Sequence, residues 1–295
     1  MELWGRRRGA RLADAALLLM LAAGVAYVGW SAATTLRYNW NWSLIPGFLL
    51  RVDDTGRLVP NLLLLGVFNT IRLAIWGMLG AAPIGLAVAL MRLSNDRFMK
   101  LAGAIYVELV RNTPALVLLF ILYFFVSAQI TPLLGIDRAA ATMGPLARGI
   151  VTVIASPPEL LVGFVSGAIC LALFEGAFIA EVLRAGILSV ERGQWEAGSS
   201  LGLSRYQVLR LVVVPQAVSR SLPPLGNQFI ALVKESAIVS IVSIQDLTFM
   251  ANEVAVSSGR VFEVWITTSV LYFLICFSLS LLFARAEARA RRATR

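Results

Sequence analysis

The sequence contains no histidine, two cysteines and two lysines among its 295 residues. Without histidine it lacks the commonest general base and metal ligand. Cys170 and Cys276 lie in apolar runs without CxxC spacing, so they predict neither a disulfide framework nor a metal site. Because Lys100 and Lys234 are the only lysines, the chain has no Gly-x-x-x-x-Gly-Lys-[Ser/Thr] phosphate loop. We expect no catalytic residue, no metal and no bound cofactor on this chain.

Charged residues are also scarce, at 15%, whereas 58% of the residues are hydrophobic and the mean hydropathy is +0.78. Soluble domains carry about 25% charged residues, so the composition predicts an all-α polytopic membrane protein in contact with lipid. The net charge of +9 is also typical of nucleic-acid binding. However, most arginines flank apolar runs and form no basic stripe, so we expect no nucleic-acid partner.

Six apolar segments approach or exceed the ~20 residues that a bilayer core requires. They cover about residues 14–33, 61–91, 101–128, 159–183, 224–242 and 262–284. The first follows four arginines but lacks a convincing cleavage site, so we interpret it as a retained anchor. Residues 34–60 and 129–158 are rich in proline, glycine or tryptophan and are predicted to be external. We expect 129–158 to be irregular, with 150–155 dipping into the interface.

Six spans place both termini on the same side of the membrane. The termini and the two loops on that side hold seventeen lysines and arginines, against six in the opposite loops. Positive residues favour the cytoplasm, so the termini and the polar segment 191–215 are predicted to be cytoplasmic.

The segment 191–215 has the pattern of a short helix, a break and a second helix. Gly202 suits the position after a helix end, where φ is often positive. Ser204 and Gln207 form a capping-box pattern, Arg205 follows the cap, and Pro215 is predicted to limit the second helix. A charged helical hairpin of this kind is suited to binding another protein, and the alternative is an ordinary helical loop.

Ionisable side chains within predicted spans are costly and each requires a reason. Glu108 and Arg111 are three residues apart near the middle of the third predicted span, so they share a helix face and are able to pair. Pro114 is expected to kink this helix and free a carbonyl near Val110. The segment is suited to receiving a carboxylate, and the alternative is a structural Glu–Arg pair.

Three further sites place charge in predicted spans. Glu175 in the fourth span is interpreted either as a partner for a substrate ammonium group or as a structural partner of Arg111 or Arg72. Glu181 and Arg184, three apart near the inner end of that span, predict a structural ion pair. In the fifth span, Lys234 and its neighbour Glu235 diverge, so each is expected to meet a different partner.

Several short motifs resemble those of ABC-importer permeases. Glu196-Ala197, Gly202 and Val212-Val-Val-Pro215 resemble the EAA loop, with Gly198 in place of the second alanine. Other segments resemble the polar amino-acid branch, which includes histidine, glutamate, glutamine, arginine and opine permeases. They are Gly66-Val-Phe-Asn69-Thr70, Glu108-Leu-Val-Arg111-Asn112-Thr113-Pro114, Phe178-Ile-Ala-Glu181-Val-Leu-Arg184, Pro223-Pro-Leu-Gly226-Asn227-Gln228, Leu232-Val-Lys234-Glu235-Ser236 and Ile244-Gln-Asp246-Leu.

The resemblance implies a type I ABC-importer permease in the bacterial inner membrane. Its permease core would cover 66–284, preceded by an N-terminal segment, helix and loop at 1–65 and followed by a basic tail at 285–295. It further implies a separate subunit that binds ATP and Mg, a periplasmic solute-binding protein, and a second permease copy or a paralogue.

The resemblance and the buried charges together define two groups of candidate site residues. The expected substrate pathway comprises Glu108, Arg111, Asn112, Thr113, Glu175 and Lys234. The expected ATPase-coupling residues are Glu196, Ala197, Gly202, Arg205 and Pro215. The alternative function is an ion-coupled secondary amino-acid transporter that uses Glu108 and Glu175, and the identity of the amino acid stays open.

Overall fold

The computed structural model describes residues 15–24, 26–27, 29–31 and 38–293, except for the side chains of 290–293. The N-terminal arginines, Arg37 and Arg295 lie outside the described residues. The chain divides into two units, Met1–Trp42 and Ser43–Arg295. In the first unit, helix α1 (Ala15–Ser31) is apolar but shorter than the other candidate spans.

Five helical segments of the second unit are long and apolar enough to cross a membrane. They are Leu62–Leu93, Ala115–Leu133, Pro158–Leu188, Arg205–Val242 and Val261–Arg289. Together with α1, they correspond to the six predicted spans and confirm an all-α polytopic fold. Several boundaries differ from the prediction, and each difference has a local cause.

A short helix and a β-hairpin precede the first long helix of this unit. A 3-10 turn (Trp42–Leu44) leads into α2 (Ile45–Leu49), and strands β1 (Leu50–Val52) and β2 (Leu58–Pro60) pair antiparallel. These strands were not predicted from the sequence. At the turn between them, the Asp53 carboxylate accepts bonds from the Thr55 hydroxyl at 2.6 Å and from the backbone N–H groups of Arg57 and Thr55, both at 2.9 Å. These bonds, the hydroxyl bond most of all, lower the pKa of Asp53.

The predicted third span is wrong in its first half. After α3 (Leu62–Leu93), helix α4 (Arg97–Asn112) ends before Thr113, which is extended with φ −100° and ψ 136°. The residue before a proline is disfavoured in the helical region, so Pro114 causes a break where a kink was expected. The span candidate that follows combines α5 (Ala115–Ile121), a π-helical stretch and α6 (Ala128–Leu133).

Residues 129–158 are largely helical, so the prediction of an irregular segment is wrong. After α6 come α7 (Ile136–Thr142), α8 (Pro145–Ile154) and a 3-10 turn (Pro158–Leu160). Gly135 (φ 62°) separates α6 from α7, and Pro145 lies in the first turn of α8, where a missing N–H costs nothing. The prolines and the glycine therefore delimit short helices rather than preventing them.

The predicted fifth span begins too late. After α9 (Leu161–Leu188) and α10 (Arg192–Ser200), one continuous helical segment contains the second helix of the hairpin and the span. Its parts are α11 (Arg205–Val208), a π turn (Leu209–Val213), α12 (Val214–Glu235) and a 3-10 stretch (Ser236–Val242).

Proline does not end this continuous segment. Pro215 has no N–H to donate to the preceding turn, and the backbone accommodates it by widening into the π turn. Pro223 and Pro224 likewise lie inside α12. The expected limit at Pro215 is therefore wrong.

Two helices complete the chain. Helix α13 (Leu247–Ser258), which was not predicted, ends before Gly259 in the left-handed conformation. Helix α14 (Val261–Ala293) then extends through most of the basic tail, beyond the predicted end of the sixth span.

The core of the second unit lies where α3 and α9 pack along their length. Leu73 and Ala74 of α3 are buried against Cys170 and Leu171 of α9, and Leu232 of α12 closes the cluster. Close approach depends on glycine. A Cβ at Gly85 would lie 2.8 Å from Cβ of Ile179 and 3.1 Å from the backbone nitrogen of Ala180.

Substituting Gly85→Ala therefore pushes α3 away from the α9 backbone. We expect a loss of about 1–3 kcal/mol in stability, the usual cost of overpacking a core. The midpoint of thermal unfolding of the purified protein should fall accordingly. Gly163→Ala in α9 is the matched control, because a Cβ there meets no atom within 4 Å. Equal midpoints for the two variants would contradict this description of the α3–α9 contact.

Candidate functional site

The predicted helical hairpin is present, with its expected capping. Gly202 follows α10 with φ 76°, a conformation that favours glycine. The Ser204 backbone N–H donates to the Gln207 side chain at 2.8 Å, and the Gln207 backbone N–H donates to the Ser204 hydroxyl at 3.4 Å. The reciprocal bonds form the predicted capping box and set the start of α11.

The hairpin packs through its apolar side and exposes its charged side. A Cβ at Gly198 would lie 3.0 Å from a methyl group of Val208, so the glycine that replaces the second alanine relieves crowding between the two arms. Val208 belongs to a buried cluster with Ile187, Val190, Val213 and Ala217. Glu196, Ala197 and Arg205 are exposed on the hairpin, as is Pro215 beyond the π turn.

Polar contacts tie the hairpin region to the membrane helices. The Gln216 amide of α12 donates to the Gln194 side chain of α10 at 3.2 Å. Arg220 of α12 donates to the backbone carbonyl of Ser189, just after α9. The end of α9, the hairpin and the first turns of α12 are thereby connected.

At the same end of α9, the predicted Glu181–Arg184 pair is confirmed. The Glu181 carboxylate also pairs with Arg92 of α3, so it joins α3 to α9. All three side chains are half-buried, which leaves their charges partly hydrated. Prediction from helical spacing could find Arg184 but could not find Arg92, because the two segments are distant in sequence.

The motif around Glu108 differs from its prediction. The Glu108 carboxylate accepts a bond from the Asn112 amide at 2.7 Å and forms no ion pair with Arg111. Asn112 also donates to the Glu108 carbonyl at 2.9 Å, which holds the last turn of α4. Glu108, Arg111 and Asn112 are exposed and Thr113 is half-buried, all at the helix break rather than in the middle of a span.

Arg111 lines a cavity of about 580 Å³ at the end of α9 that is next to the hairpin, and we call this the inner cavity. The other polar residues of this cavity include Glu181 and Ser189 of the α9 region and Arg220 and Gln228 of α12. Glu108, Asn112 and Thr113 do not line it. The structure therefore brings Arg111, but not its motif neighbours, to a polar cavity.

A second cavity, which we call the slot, has a volume of about 370 Å³. Its charged wall is formed by Lys234 and Glu235, where α12 passes into the 3-10 stretch. Its other walls are apolar and come from α5, the π-helical stretch, α9 and the 3-10 stretch: Ala115, Leu119, Leu122, Cys170, Leu171, Phe174, Ala237 and Ile238. The volume is within the range of small-molecule sites.

Glu175 lies next to the slot-lining Phe174 and is fully buried. Neither of its carboxylate oxygens has a partner with good hydrogen-bond geometry, although the Gln228 side chain approaches as a weak donor and the Glu235 carboxylate is near enough to interact electrostatically. The alternative that pairs Glu175 with Arg111 or Arg72 is therefore wrong. Arg72 instead donates to Asn69 at 3.2 Å.

Two residues near Glu175 were not among the predicted site residues. Glu235 lines the slot and has one buried oxygen without a hydrogen-bond partner, and Gln228 lies between Glu175 and the inner cavity. Both occur in motifs that resemble the permease family, so the signal was present in the sequence. Their convergence with Glu175 depends on how α12 packs on α9, which spacing along one helix does not reveal.

The first and last of these family motifs also meet. The Asn69 amide donates to the Gln245 carbonyl at 2.8 Å, and the Leu247 N–H donates to the Thr70 hydroxyl at 3.0 Å. A Cβ at Gly66 would lie 2.7 Å from Cα of Leu247, so the backbones of α3 and α13 are in close contact. This contact fixes the first turns of α3 against the start of α13.

Comparison with known proteins identifies the family. Residues 81–292 match the family described as "Binding-protein-dependent transport system inner membrane component". The probable glutamine ABC transporter permease protein GlnM of Bacillus subtilis (strain 168) is 33% identical over 73% of this chain and 87% of its own length. The L-cystine transport system permease protein TcyB of the same organism is 32% identical over 77% of this chain and 86% of its own.

Solved structures agree with these relatives. A crystal structure of an amino acid ABC transporter with histidines contains a chain that is 32% identical, with a TM-score of 0.62, covering 77% of this chain and 94% of that one. An inward-facing structure of the MetNI methionine ABC transporter, at 20% identity and a TM-score of 0.53, shows the same fold.

The chain therefore belongs to the family of binding-protein-dependent transport system inner membrane components, as a permease of the amino-acid ABC transporter type. The relatives are transport subunits rather than enzymes, and they favour this function over an ion-coupled secondary transporter. The family implies a multi-pass inner-membrane protein that works with an ATP-binding subunit and a binding protein.

Proposed function

We propose that this chain carries a polar amino acid across the bacterial inner membrane, with the slot and the inner cavity on its path. The continuous helix Arg205–Val242 carries the proposal, because it joins the exposed hairpin to Lys234 and Glu235 at the slot. At about 1.5 Å per residue, the stretch from Arg205 to Glu235 is about 45 Å long. A force applied to the hairpin is thereby transmitted to the slot.

The energy source of this transport is ATP, bound with Mg by the separate ATP-binding subunit. That subunit docks on the hairpin, where Glu196, Ala197 and Arg205 offer exposed side chains and Gly202 and Pro215 shape the backbone. The excess of lysine and arginine supports a cytoplasmic hairpin and cytoplasmic termini. The periplasmic binding protein delivers the amino acid from the opposite side, and a second permease copy or a paralogue completes the membrane core.

Alternating access follows from differential binding. When ATP draws the ATP-binding subunits together, these subunits bind one position of the hairpin more tightly than the other. The conformation of the membrane helices that is linked to this position then becomes more populated. The slot then opens outward to receive the amino acid, and hydrolysis restores the inward-facing state. Lys234 lines the proposed path at the slot, with Glu175 buried behind the slot wall, whereas Arg111 lines the path at the inner cavity. Glu108, Asn112 and Thr113, at the break before α5, are proposed to border it.

The substitution Glu196→Lys tests the coupling role. In proteoliposomes that contain the permease, its ATP-binding subunit and the binding protein, we expect uptake of a radiolabelled amino acid to require ATP. The charge reversal on the exposed face of α10 should leave insertion intact but uncouple ATP hydrolysis from uptake.

Glu253→Lys is the matched control, because Glu253 is also an exposed glutamate but lies on α13 rather than on the hairpin. Normal uptake by Glu196→Lys at normal abundance would contradict the docking role. Uptake that persists without the ATP-binding subunit, and that an uncoupler abolishes, would contradict the proposed function as a whole.

The substitution Arg111→Ala tests the path through the inner cavity. Because Arg111 is exposed and has no ion-pair partner among the described residues, its removal should reduce transport without disturbing assembly. We expect the rate of uptake to fall about tenfold or more, as for loss of a charged ligand contact. Co-purification with the ATP-binding subunit should be unchanged. Loss of the complex would indicate that Arg111 has a structural role instead.

A further inference from the structure

The slot lining and the residues buried behind it together carry an excess of negative charge, because the slot-lining Lys234 and Glu235 are joined by the buried Glu175. Glu235 lines the slot, Glu175 is buried beside it, and the two carboxylates are near enough to interact electrostatically. Three of their four oxygens are buried without a hydrogen-bond partner. Among the residues that line the slot, all of them in the described part of the chain, Lys234 is the only cation.

An ionised carboxylate that is fully buried without a partner is too costly to persist, so Glu175 must be neutralised by a proton or by a cation. Glu235 is half-buried and has Lys234 as a neighbouring charge. Neighbouring carboxylates suit an ammonium or a guanidinium group, because such groups carry several N–H donors and no acceptor. Glu175 forms no ion pair with an arginine or lysine of the described chain. The neutralising cation can therefore come from a substrate.

The charges of the slot discriminate between classes of amino acid. A zwitterion brings one positive and one negative charge. Its carboxylate pairs with Lys234 and its ammonium group with one glutamate, so the second glutamate keeps an unpaired charge. An amino acid with a cationic side chain brings a second positive charge, so Glu175, Glu235 and Lys234 all have a partner of opposite charge. The apolar walls formed by Leu119, Leu171 and Phe174 suit the aliphatic stem that carries such a charge.

We infer that the slot selects amino acids with a cationic side chain, diamino or guanidino acids, with Glu175 and Glu235 binding the positive groups and Lys234 the carboxylate. This inference rests on the proposed function, because it names the substrate class of the same site. It also gives Glu235 a role in binding. The relatives named for glutamine and cystine are expected to differ from this chain at the position of Glu175, because Lys234-Glu235 lies in a motif that resembles the whole branch.

Equilibrium binding tests the inference directly. Radiolabelled arginine and glutamine are titrated against the purified complex of the permease and its ATP-binding subunit. The binding protein is omitted so that its own selectivity does not enter. We expect arginine to bind at least about tenfold more tightly than glutamine, because glutamine leaves a buried charge unpaired.

Isosteric variants locate the source of the preference. Glu235→Gln and Glu175→Gln should each lower the ratio of arginine to glutamine affinity from about tenfold or more to near one, since each removes a carboxylate that pairs with the positive groups of arginine. Lys234→Gln should weaken the binding of both amino acids, because both carry the carboxylate. Glu253→Gln on the exposed face of α13 is the control and should change neither affinity.

Equal affinities for arginine and glutamine, or the parent ratio retained in both glutamate variants, would overturn the inference and would show that protons neutralise the carboxylates. Binding of neither amino acid at millimolar concentration would also overturn it. ATP-dependent uptake by the parent complex distinguishes failure of the slot inference from failure of the proposed function. If a neutral amino acid is carried, only the slot inference fails, and if none is carried, the proposed function fails as well.

Discussion

The packing of α12 on α9 is the interaction on which the rest of the structure depends. At one end, Gly186 of α9 leaves room for Ser221, and Arg220 donates to the carbonyl of Ser189. Further along, the same pair of helices brings Glu175 and Glu235 together beside the slot. A helix that begins in the hairpin therefore also forms a wall of the slot, so that one element serves both ends of the proposed mechanism.

Burial of charge is the second constraint. Glu181 satisfies its carboxylate with two arginines and remains half-exposed, as a structural ion pair does. Glu175 is fully buried with neither arginine nor hydroxyl as a hydrogen-bond partner. Both acids lie on α9, six residues apart. The contrast between them is the physical reason for assigning a structural role to Glu181 and a binding role to Glu175.

The features predicted correctly are those that local rules determine. The capping box at Ser204, the left-handed Gly202 and the Glu181–Arg184 pair each depend on residues within four positions of one another. Hydropathy likewise located the membrane helices, because the bilayer sets their length and composition. The family could be predicted from the short motifs, because each of them is contiguous in the sequence.

The features missed depend on context that local rules do not contain. Proline was expected to kink a helix at Pro114 and to limit one at Pro215. Instead the chain breaks before Pro114, where Thr113 is extended, and continues through Pro215 by way of a π turn. The environment of Glu175 depends on Gln228 and Glu235 of α12, which lie far away in sequence, so no spacing rule could predict its lack of an ion-pair partner.

In the proposed mechanism, a change at the hairpin reaches the slot through one continuous helix. The most direct test is the rate at which a thiol reagent modifies a cysteine introduced at Ala237, a slot-lining residue, in the assembled complex with Cys170 and Cys276 replaced by alanine. In the protein whose hairpin is unchanged, ATP should change the rate at which this cysteine is modified. The additional substitution Glu196→Lys should abolish that ATP-dependent change. An ATP-dependent change that is equally large in both proteins would contradict transmission through the hairpin.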